Sequence, residues 1–292
     1  MPTVTEKARA KINLTLSILG RRSDGYHALL SLVAFADVAD IVTLDPGSAT
    51  GVTVAGPFAD AISEPNLVET ALRIVTDHLP NLEIGHVTLD KQLPVASGIG
   101  GGSADAAAVL RAIRTAHPQA TADLDWMSIA RRLGADVPVC FSDRAIWMSG
   151  TGDHLHDLAS PLQELHAVLV NPRAPVPADK TARVFRALGA PPISGAGVGV
   201  ATARPAIPDR DELLALMKRM GNDLEAPATA VVPQVQDVLA ALDTCSGAEI
   251  AHLSGAGPTC FAVFPIKELA TAAATSLAAA HPSWWVVPTV IG

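Results

Sequence analysis

The chain has 292 residues and a formal net charge of −8, and apolar residues make up 49% of it. That length predicts two domains of roughly 150 residues each, with ample apolar material for their cores. The acidic balance argues against nucleic acid or an anionic membrane as a partner, since both favour a basic face. No apolar run reaches the roughly 18 residues that a membrane span needs, so we expect a cytoplasmic protein.

The stretch from Ala8 to Ile18 alternates between apolar and polar residues. This period of two predicts a strand with one buried face, on whose other face Lys11 and Asn13 are neighbours about 7 Å apart. If that face lines a cleft, the two side chains form a pair of hydrogen-bond donors. If it faces solvent, they have no further role.

A predicted turn at Asp24 and Gly25 is followed directly by Tyr26 and His27. The aromatic ring and the imidazole could stack on a flat ligand and read its edge, or the tyrosine could cover the edge of the core. The sequence then predicts a hairpin from residues 29–35 and 41–44, a short strand at 52–54, a helix at 66–79 and a strand at 86–89.

Glycines at positions 98, 100, 101 and 102 lead from that last strand into a helix-like segment. Such a loop turns backbone N–H groups inward beside the positive end of a helix, so we expect it to bind an oligophosphate. We expect Ser103 to be the N-cap and Asp105 to lie in the first turn. The loop lacks the lysine of a Walker motif and the third glycine of a dinucleotide motif. The alternative is a flexible linker or a helix entry in which the glycines are merely tolerated.

Asp136 follows a predicted helix at residues 124–133 and precedes a run of strand-forming residues. Its carboxylate is either a turn-former or a positioned acid or base. The following segment predicts an exit into a second domain, which gives domains at residues 1–156 and 157–292. The three cysteines are widely spaced among apolar residues, which predicts reduced thiols and no metal site.

The carboxy-terminal part predicts strands at residues 166–170, 260–264 and 284–287 and helices at 178–188, 211–220, 233–242 and 268–281. The segment 189–208 is rich in Gly, Pro and Ala and has no periodicity, which predicts a long loop. A second glycine cluster, at residues 254–257, either brings backbone donors to a ligand or makes a tight connection before a strand.

Three segments resemble the signature motifs of the GHMP kinases: AKINLTL at 10–16, LPVASGIGGGSADAA at 93–107 and LSGAGPTCF at 253–261. The resemblance covers nearly the whole chain in order and spacing. It implies an α/β fold of the α+β type, with an amino-terminal domain like ribosomal protein S5 domain 2 and a carboxy-terminal GHMP domain. It also implies a small-molecule kinase that uses ATP and Mg²⁺, as a monomer or weak homodimer.

The segments SDGYH, LGADVPVCF and GNDLEA narrow the resemblance to members of the family that act on a cytidylyl substrate of the non-mevalonate isoprenoid pathway. The implied reaction moves the γ-phosphoryl group of ATP to the 2-hydroxyl of 4-diphosphocytidyl-2-C-methyl-D-erythritol. The alternatives are a GHMP kinase of the homoserine or mevalonate type and a nucleotide-binding sensor without catalysis.

The resemblance also implies roles for single residues. Asp136 would be the catalytic base and Lys11 its partner. The residues implied to bind ATP are Pro94, Ser97, Gly98, Ile99, Gly100, Gly101, Gly102 and Ser103 in the loop, with Asn66 and Lys91 on the adenosine side. The residues implied to bind the cytidylyl substrate are Asn13, Tyr26, His27, Asp136, Phe185 and Gly255. No residue is assigned to a metal.

Two positions depart from the family's pattern. Asp105 stands where the family often has Asn, which adds a negative charge to the start of the helix and puts a role of that side chain in phosphate binding in doubt. Pro258 stands where a third glycine is common in the wider superfamily. Because proline has no backbone N–H, we expect this loop to offer fewer donors to a ligand.

Overall fold

The computed structural model describes residues 2–62, 66–193, 204–207 and 209–292. They form two compact units whose segments alternate along the chain. The first unit comprises Met1–Ala10, Val38–Val95 and Gly100–Asp143, and the second comprises Lys11–Asp37, Ala96–Ile99 and Arg144–Gly292. The division near residue 156 stays a prediction.

The secondary structure is mixed. In chain order the strands are β1 (Val4–Asn13), β2 (Ser17–Arg21), β3 (His27–Asp45), β4 (Gly51–Ala55), β5 (His86–Asp90), β6 (Ile146–Gly150), β7 (His154–Asp157), β8 (Leu165–Asn171), β9 (Ile250–Leu253), β10 (Cys260–Phe264) and β11 (Trp285–Ile291). The helices are α1 (Leu67–His78), α2 (Gly101–Ala116), α3 (Trp126–Leu133), α4 (Val137–Ser142), α5 (Lys180–Leu188), α6 (Arg210–Met220), α7 (Glu225–Val231), α8 (Gln234–Asp243) and α9 (Lys267–Ala280). None of the helices among the described residues is both long and apolar enough to cross a membrane.

The first unit combines helices α1 to α4 with one end of β3. Residues 41–45 of β3 pair antiparallel with β5, and β5 pairs parallel with β4. Helix α2 packs against α1 and α4, and its alanine-rich faces are buried almost throughout. Alanine allows close helix packing and favours helix formation, which explains why this helix can pass through the interior of the unit.

The second unit is built around β8, which pairs antiparallel with β10 on one side and β11 on the other. Strand β9 extends this arrangement beyond β10. The other end of β3, residues 29–33, pairs with β6. Apolar side chains of β8, β10, α8 and α9 form the core, including Val168, Val238, Phe264 and Leu277.

Several expected elements differ from the structure. The predicted hairpin is wrong, since residues 29–35 and 41–44 lie on the single strand β3, and the five residues between them contain no Gly, Pro or Asn to reverse the chain. Strand β1 ends at Asn13 rather than Ile18, and its polar residues Lys11 and Asn13 are as buried as its apolar ones. The expectation of a polar, open face therefore fails at this end of the strand.

Other differences lie farther along the chain. The strand-forming run after Asp136 is the short helix α4, in which Pro138 sits in the first turn, where proline is tolerated. Helix α7 and strand β9 were not predicted at all. Much of the predicted loop at 189–208 falls on residues 194–203 and 208, which lie outside the described residues.

Candidate active site

The end of β1 places Lys11 and Asn13 side by side, as the alternation predicted. Lys11 Nζ donates to Asn13 Oδ1 over 3.0 Å, and Asn13 Nδ2 donates to Ser31 Oγ over 2.7 Å. Ser31 in turn donates to the carbonyl of Thr15. Because this chain of hydrogen bonds is buried, the amide of Asn13 has a fixed orientation and holds the ammonium of Lys11 in one position.

Both glycine clusters reach this strand end within the second unit. The backbone N–H of Lys11 donates to the carbonyl of Ile99 over 2.9 Å, and that of Asn13 donates to Ser254 Oγ over 3.3 Å. Ser254 Oγ also donates to the carbonyl of Gly98 over 3.2 Å. The three segments that carry the family resemblance therefore converge, although more than 70 residues separate each from the next in the sequence.

Gly98 shows why glycine is needed where these segments meet. Its φ is +83°, and a Cβ at this position would lie 2.7 Å from the carbonyl oxygens of Ser254 and Gly257. Any side chain would force the two loops apart. On the opposite loop, a Cβ on Gly255 would lie 3.3 Å from Asn13 Oδ1, so this glycine lets the loop approach the Lys11–Asn13 pair.

Helix α2 begins earlier than predicted. Gly100, with φ of +65°, is the N-cap residue, and the helix starts at Gly101, so the expectation that Ser103 is the N-cap is wrong. Ser103 lies in the first turn and is half-buried, whereas Gly102 is exposed. A glycine cap supplies no side-chain acceptor, and a helix start of this kind leaves its first N–H groups to water or to an anion.

Asp105 follows the first turn of α2 instead of lying in it, so that expectation is also wrong, and it belongs to a buried cluster of charges. Lys91 Nζ donates to Asp105 Oδ2 over 2.7 Å and also to Asp40 Oδ2. Burial acts to lower the pKa of Lys91, but the carboxylates of Asp105 and Asp40 outweigh it and raise that pKa. Burial and the neighbouring Asp40 raise the pKa of Asp105 to about 8. At neutral pH the cluster thus holds the carboxylate of Asp40, the ammonium of Lys91 and a protonated Asp105.

Lys91 and Asn66 both make structural contacts at the start of a helix. A Cβ on Gly101 would be 3.1 Å from Lys91 Nζ, so the ammonium supports the first residue of α2 from beneath. Asn66 caps α1, accepting from Glu69 N, while the Glu69 side chain returns a bond to the Asn66 backbone. The geometry gives Lys91 a structural contact, and the place of Lys91 and Asn66 on the adenosine side stays a prediction.

Asp136 precedes α4 at the N-cap position, half-buried. Its carbonyl accepts from Cys140 N, but its carboxylate makes no capping bond to the helix. Both interpretations of Asp136, as a turn-former and as a positioned acid or base, stay predictions.

The aromatic residues lie together in the second unit. The imidazole of His27 stacks on the ring of Phe185, with centroids 4.7 Å apart and an interplanar angle of 29°. Burial, with a smaller effect from Arg21, lowers the pKa of His27, so the ring is neutral at pH 7. Tyr26 is 67% exposed, an unusual state for so large a ring. Next to it a cavity of about 400 Å³ is lined by Arg21, Arg22, Ser23, Gly25, Pro192 and Ile193.

Two residues of this region were not predicted from the sequence. Asn222 Nδ2 donates to the carbonyls of Leu253 and Gly255, which fixes the second glycine cluster. Lys180 Nζ donates to the carbonyls of Ala96 and Gly257. Asn222 belongs to the quoted segment GNDLEA, which could have pointed to it, whereas nothing in the pattern around Lys180 predicts burial of a lysine at the start of a helix.

Comparison with known proteins fits these motifs. The model of the GHMP kinases N terminal domain matches residues 66–144, and that of the GHMP kinases C terminal domain matches residues 203–283. Together the two matches cover more than half of the chain. The chain therefore belongs to the GHMP kinases, with their two-domain α/β fold, and is a small-molecule kinase.

Similar proteins narrow the family further. A 4-diphosphocytidyl-2-C-methyl-D-erythritol kinase of Rhodopseudomonas palustris is 48% identical over 97% of this chain and 96% of its own, and one of Methylobacterium radiotolerans is 47% identical over the full length of both. A crystal structure of 4-(cytidine 5'-diphospho)-2C-methyl-D-erythritol kinase matches with a TM-score of 0.76, 30% identity and 99% of both chains. The chain is thus a member of the 4-diphosphocytidyl-2-C-methyl-D-erythritol kinase family.

A homoserine kinase of Cytophaga hutchinsonii also matches, with a TM-score of 0.69 but only 17% identity, over 100% of this chain and 95% of its own. At that identity the match establishes the shared fold alone.

Proposed function

We propose that the protein transfers the γ-phosphoryl group of ATP to the 2-hydroxyl of 4-diphosphocytidyl-2-C-methyl-D-erythritol. The observation that carries the proposal is the convergence of Lys11, Asn13 and both glycine clusters on one strand end. The named activity of the relatives supports the choice of substrate. In the reaction the acceptor oxygen bonds to the γ-phosphorus, the bond from that phosphorus to the β,γ-bridging oxygen breaks, and the hydroxyl proton leaves.

Lys11 and Asp136 are proposed to carry the chemical step. The ammonium of Lys11, fixed by Asn13, would offset the negative charge on the transferring phosphoryl group. The carboxylate of Asp136 would accept the proton of the acceptor hydroxyl. Asn13 Oδ1 keeps a second lone pair after accepting from Lys11, so it can also accept from a substrate hydroxyl.

The phosphates of ATP are proposed to lie on residues 97–103. The start of α2 after Gly100 offers N–H groups and the positive end of the helix dipole. Residues suited to Mg²⁺ are few, because no group of three His, Cys, Asp or Glu side chains comes together in the part of the chain that the structure describes. The Ser103 hydroxyl at the start of α2 would hold a Mg²⁺ ion together with the phosphate oxygens. When bound, Mg²⁺ would neutralise phosphate charge.

The cytosine ring is proposed to stack on Tyr26. The exposed ring offers a free apolar face, and the nearby neutral imidazole of His27 can exchange hydrogen bonds with the edge of the base. Phe185 stacks on His27, so its proposed part is to hold the imidazole in place beside the base. Arg21 and Arg22 at the adjoining cavity suit a substrate that carries a diphosphate.

One assay tests the proposal. Purified protein is mixed with ATP, Mg²⁺ and 4-diphosphocytidyl-2-C-methyl-D-erythritol, and ADP release is followed together with the phosphorylated product. We expect turnover with this acceptor and none with homoserine or mevalonate. Turnover with either control instead of the cytidylyl substrate would overturn the proposed specificity, and ATP binding without any turnover would favour a sensor.

A further inference from the structure

Lys180 is a buried cation that none of these roles uses. It is the first residue of α5 and only 4% exposed. Its ammonium donates to the carbonyl of Ala96 over 3.1 Å and to the carbonyl of Gly257. Ala96 belongs to the first glycine loop and Gly257 to the second, so one side chain ties together the two loops that bracket Gly98.

The two carbonyls lie at unusual backbone positions. Ala96 has φ of +54° and Gly257 has φ of +68°, both in the left-handed region. Such a conformation is costly for alanine, so it persists only where the surroundings hold it. The hydrogen bond from Lys180 stabilises this conformation of Ala96. The C=O of Ala96 and the N–H of Ser97 belong to one trans peptide and point in opposite directions, so the same bond turns the N–H of Ser97 away from α5.

The charge of Lys180 lacks a nearby counterion in the described residues. The loop segments 96–99 and 254–259 contain no ionisable side chain. On α5 and its cap, Asp179 pairs with Arg183, and on the neighbouring α7 Glu225 accepts from Leu253 N. Burial alone lowers the pKa of Lys180 to about 8. A buried charge held only by carbonyl dipoles is costly unless an anion comes near it.

We propose that Lys180 is a positioning residue for the nucleotide, whose ammonium clamps the two glycine loops and supplies the positive potential against which the phosphates of ATP bind. The inference rests on the proposed place of ATP on residues 97–103. It assigns Lys180 an effect on ATP affinity and leaves the acceptor site untouched. Bound ATP stabilises the ammonium form, and the ammonium form stabilises bound ATP.

The test is the ATP affinity of the full chain, measured by calorimetry with excess Mg²⁺ at pH 7 and pH 9. In the unaltered protein we expect Kd to rise about tenfold across this range, following the loss of the Lys180 proton from a group with a pKa of about 8. Lys180→Met should weaken binding at pH 7 by about tenfold or more and flatten the pH dependence. Lys180→Arg, which keeps its charge, should bind at pH 9 almost as tightly as at pH 7.

A matched control comes from α9, which also begins with a lysine. Lys267 is exposed, so Lys267→Met should change neither Kd nor its pH dependence. If Lys180→Met binds ATP as tightly as the unaltered protein with the same pH dependence, the proposal is wrong. If Lys180→Met fails to fold, Lys180→Arg decides alone, since an unchanged tenfold rise in that variant would also overturn the proposal. Failure of the unaltered protein to bind ATP would instead contradict the proposed function.

Discussion

Lys91 and Lys180 are both almost fully buried, yet opposite surroundings stabilise them. Lys91 lies between two carboxylates, which raise its pKa, and it supports the start of α2. Within the described part of the chain Lys180 has only carbonyl partners, and burial lowers its pKa to about 8. A buried lysine with its counterions in place is a complete structural unit. A buried lysine without counterions is stabilised when an anionic ligand binds near it. The presence or absence of counterions therefore distinguishes lysines that stabilise the fold from lysines that contribute to ligand binding.

The largest expected effect is that of Asp136→Asn, which tests whether a residue that serves the ligand can be altered while the shape of α4 is kept. We expect kcat to fall by about 10²–10⁴, because loss of a general base acts on the transition state, while Kd for ATP stays within about twofold. Steady-state kinetics and calorimetry measure the two quantities. A thermal melt unchanged from the unaltered protein serves as the control, and normal turnover in this variant would remove Asp136 from the mechanism.

Lys91→Met should instead lower the stability of the fold. Removing the ammonium leaves the buried carboxylate of Asp40 without a cation, which costs about 3–5 kcal/mol in the free energy of unfolding. Urea denaturation measures the change. The exposed Lys267→Met variant should change stability by less than about 0.5 kcal/mol. Equal stability of the two variants would contradict the structural role of the cluster.

Tyr26→Ala tests whether an exposed aromatic ring also serves the ligand. We expect KM for the cytidylyl substrate to rise about tenfold through loss of stacking, with KM for ATP unchanged. Tyr26→Phe keeps the ring and should behave like the unaltered protein. A rise of similar size in both Michaelis constants would argue that Tyr26 supports the structure in general.

The smallest expected effect concerns Asp105 and pH. Its folded pKa of about 8 lies above the unfolded value of about 3.9, so the folded state binds an extra proton between these values and loses stability as pH rises through them. Asp105→Asn removes that proton uptake while keeping an acceptor for Lys91. Thermal melts from pH 6 to 9 should show a decline in the unaltered protein that is flatter in the variant by about 2 °C or more. Parallel curves would place the titration elsewhere.

Local patterns in the sequence predicted the helices and strands whose periodicity is strong. The alternation of β1 placed Lys11 beside Asn13, and glycine followed by alanine placed the start of α2 to within three residues. The same reasoning failed after Asp136, where β-branched residues form α4, because tertiary packing overrides weak propensities in so short a segment. It also failed at β3, where nothing local marks a strand that continues for 19 residues.

Residues of the candidate site could be predicted from the sequence only where they belong to a recognisable motif. The glycine clusters and the Tyr26–His27 pair were legible through the family resemblance. The charge cluster of Asp40, Lys91 and Asp105 was not, because its members are separated by up to 65 residues and none carries a recognisable spacing. The burial of Lys180 could not be predicted either. Burial of a polar group depends on which loops the fold brings next to it, and no local sequence pattern contains that information.

The alternation of chain segments between the two units has a consequence for synthesis on the ribosome. All segments of the first unit have been synthesised once residue 143 has emerged. Residues 11–37 belong to the second unit, and their partner strands β6 and β11 are synthesised much later; Ile291 of β11 pairs with Ala36. The edge of β3 therefore stays uncovered during translation of more than a hundred further residues, and uncovered strand edges attract wrong partners. Nascent chains of this protein should accordingly depend on chaperones more than their folded stability would suggest.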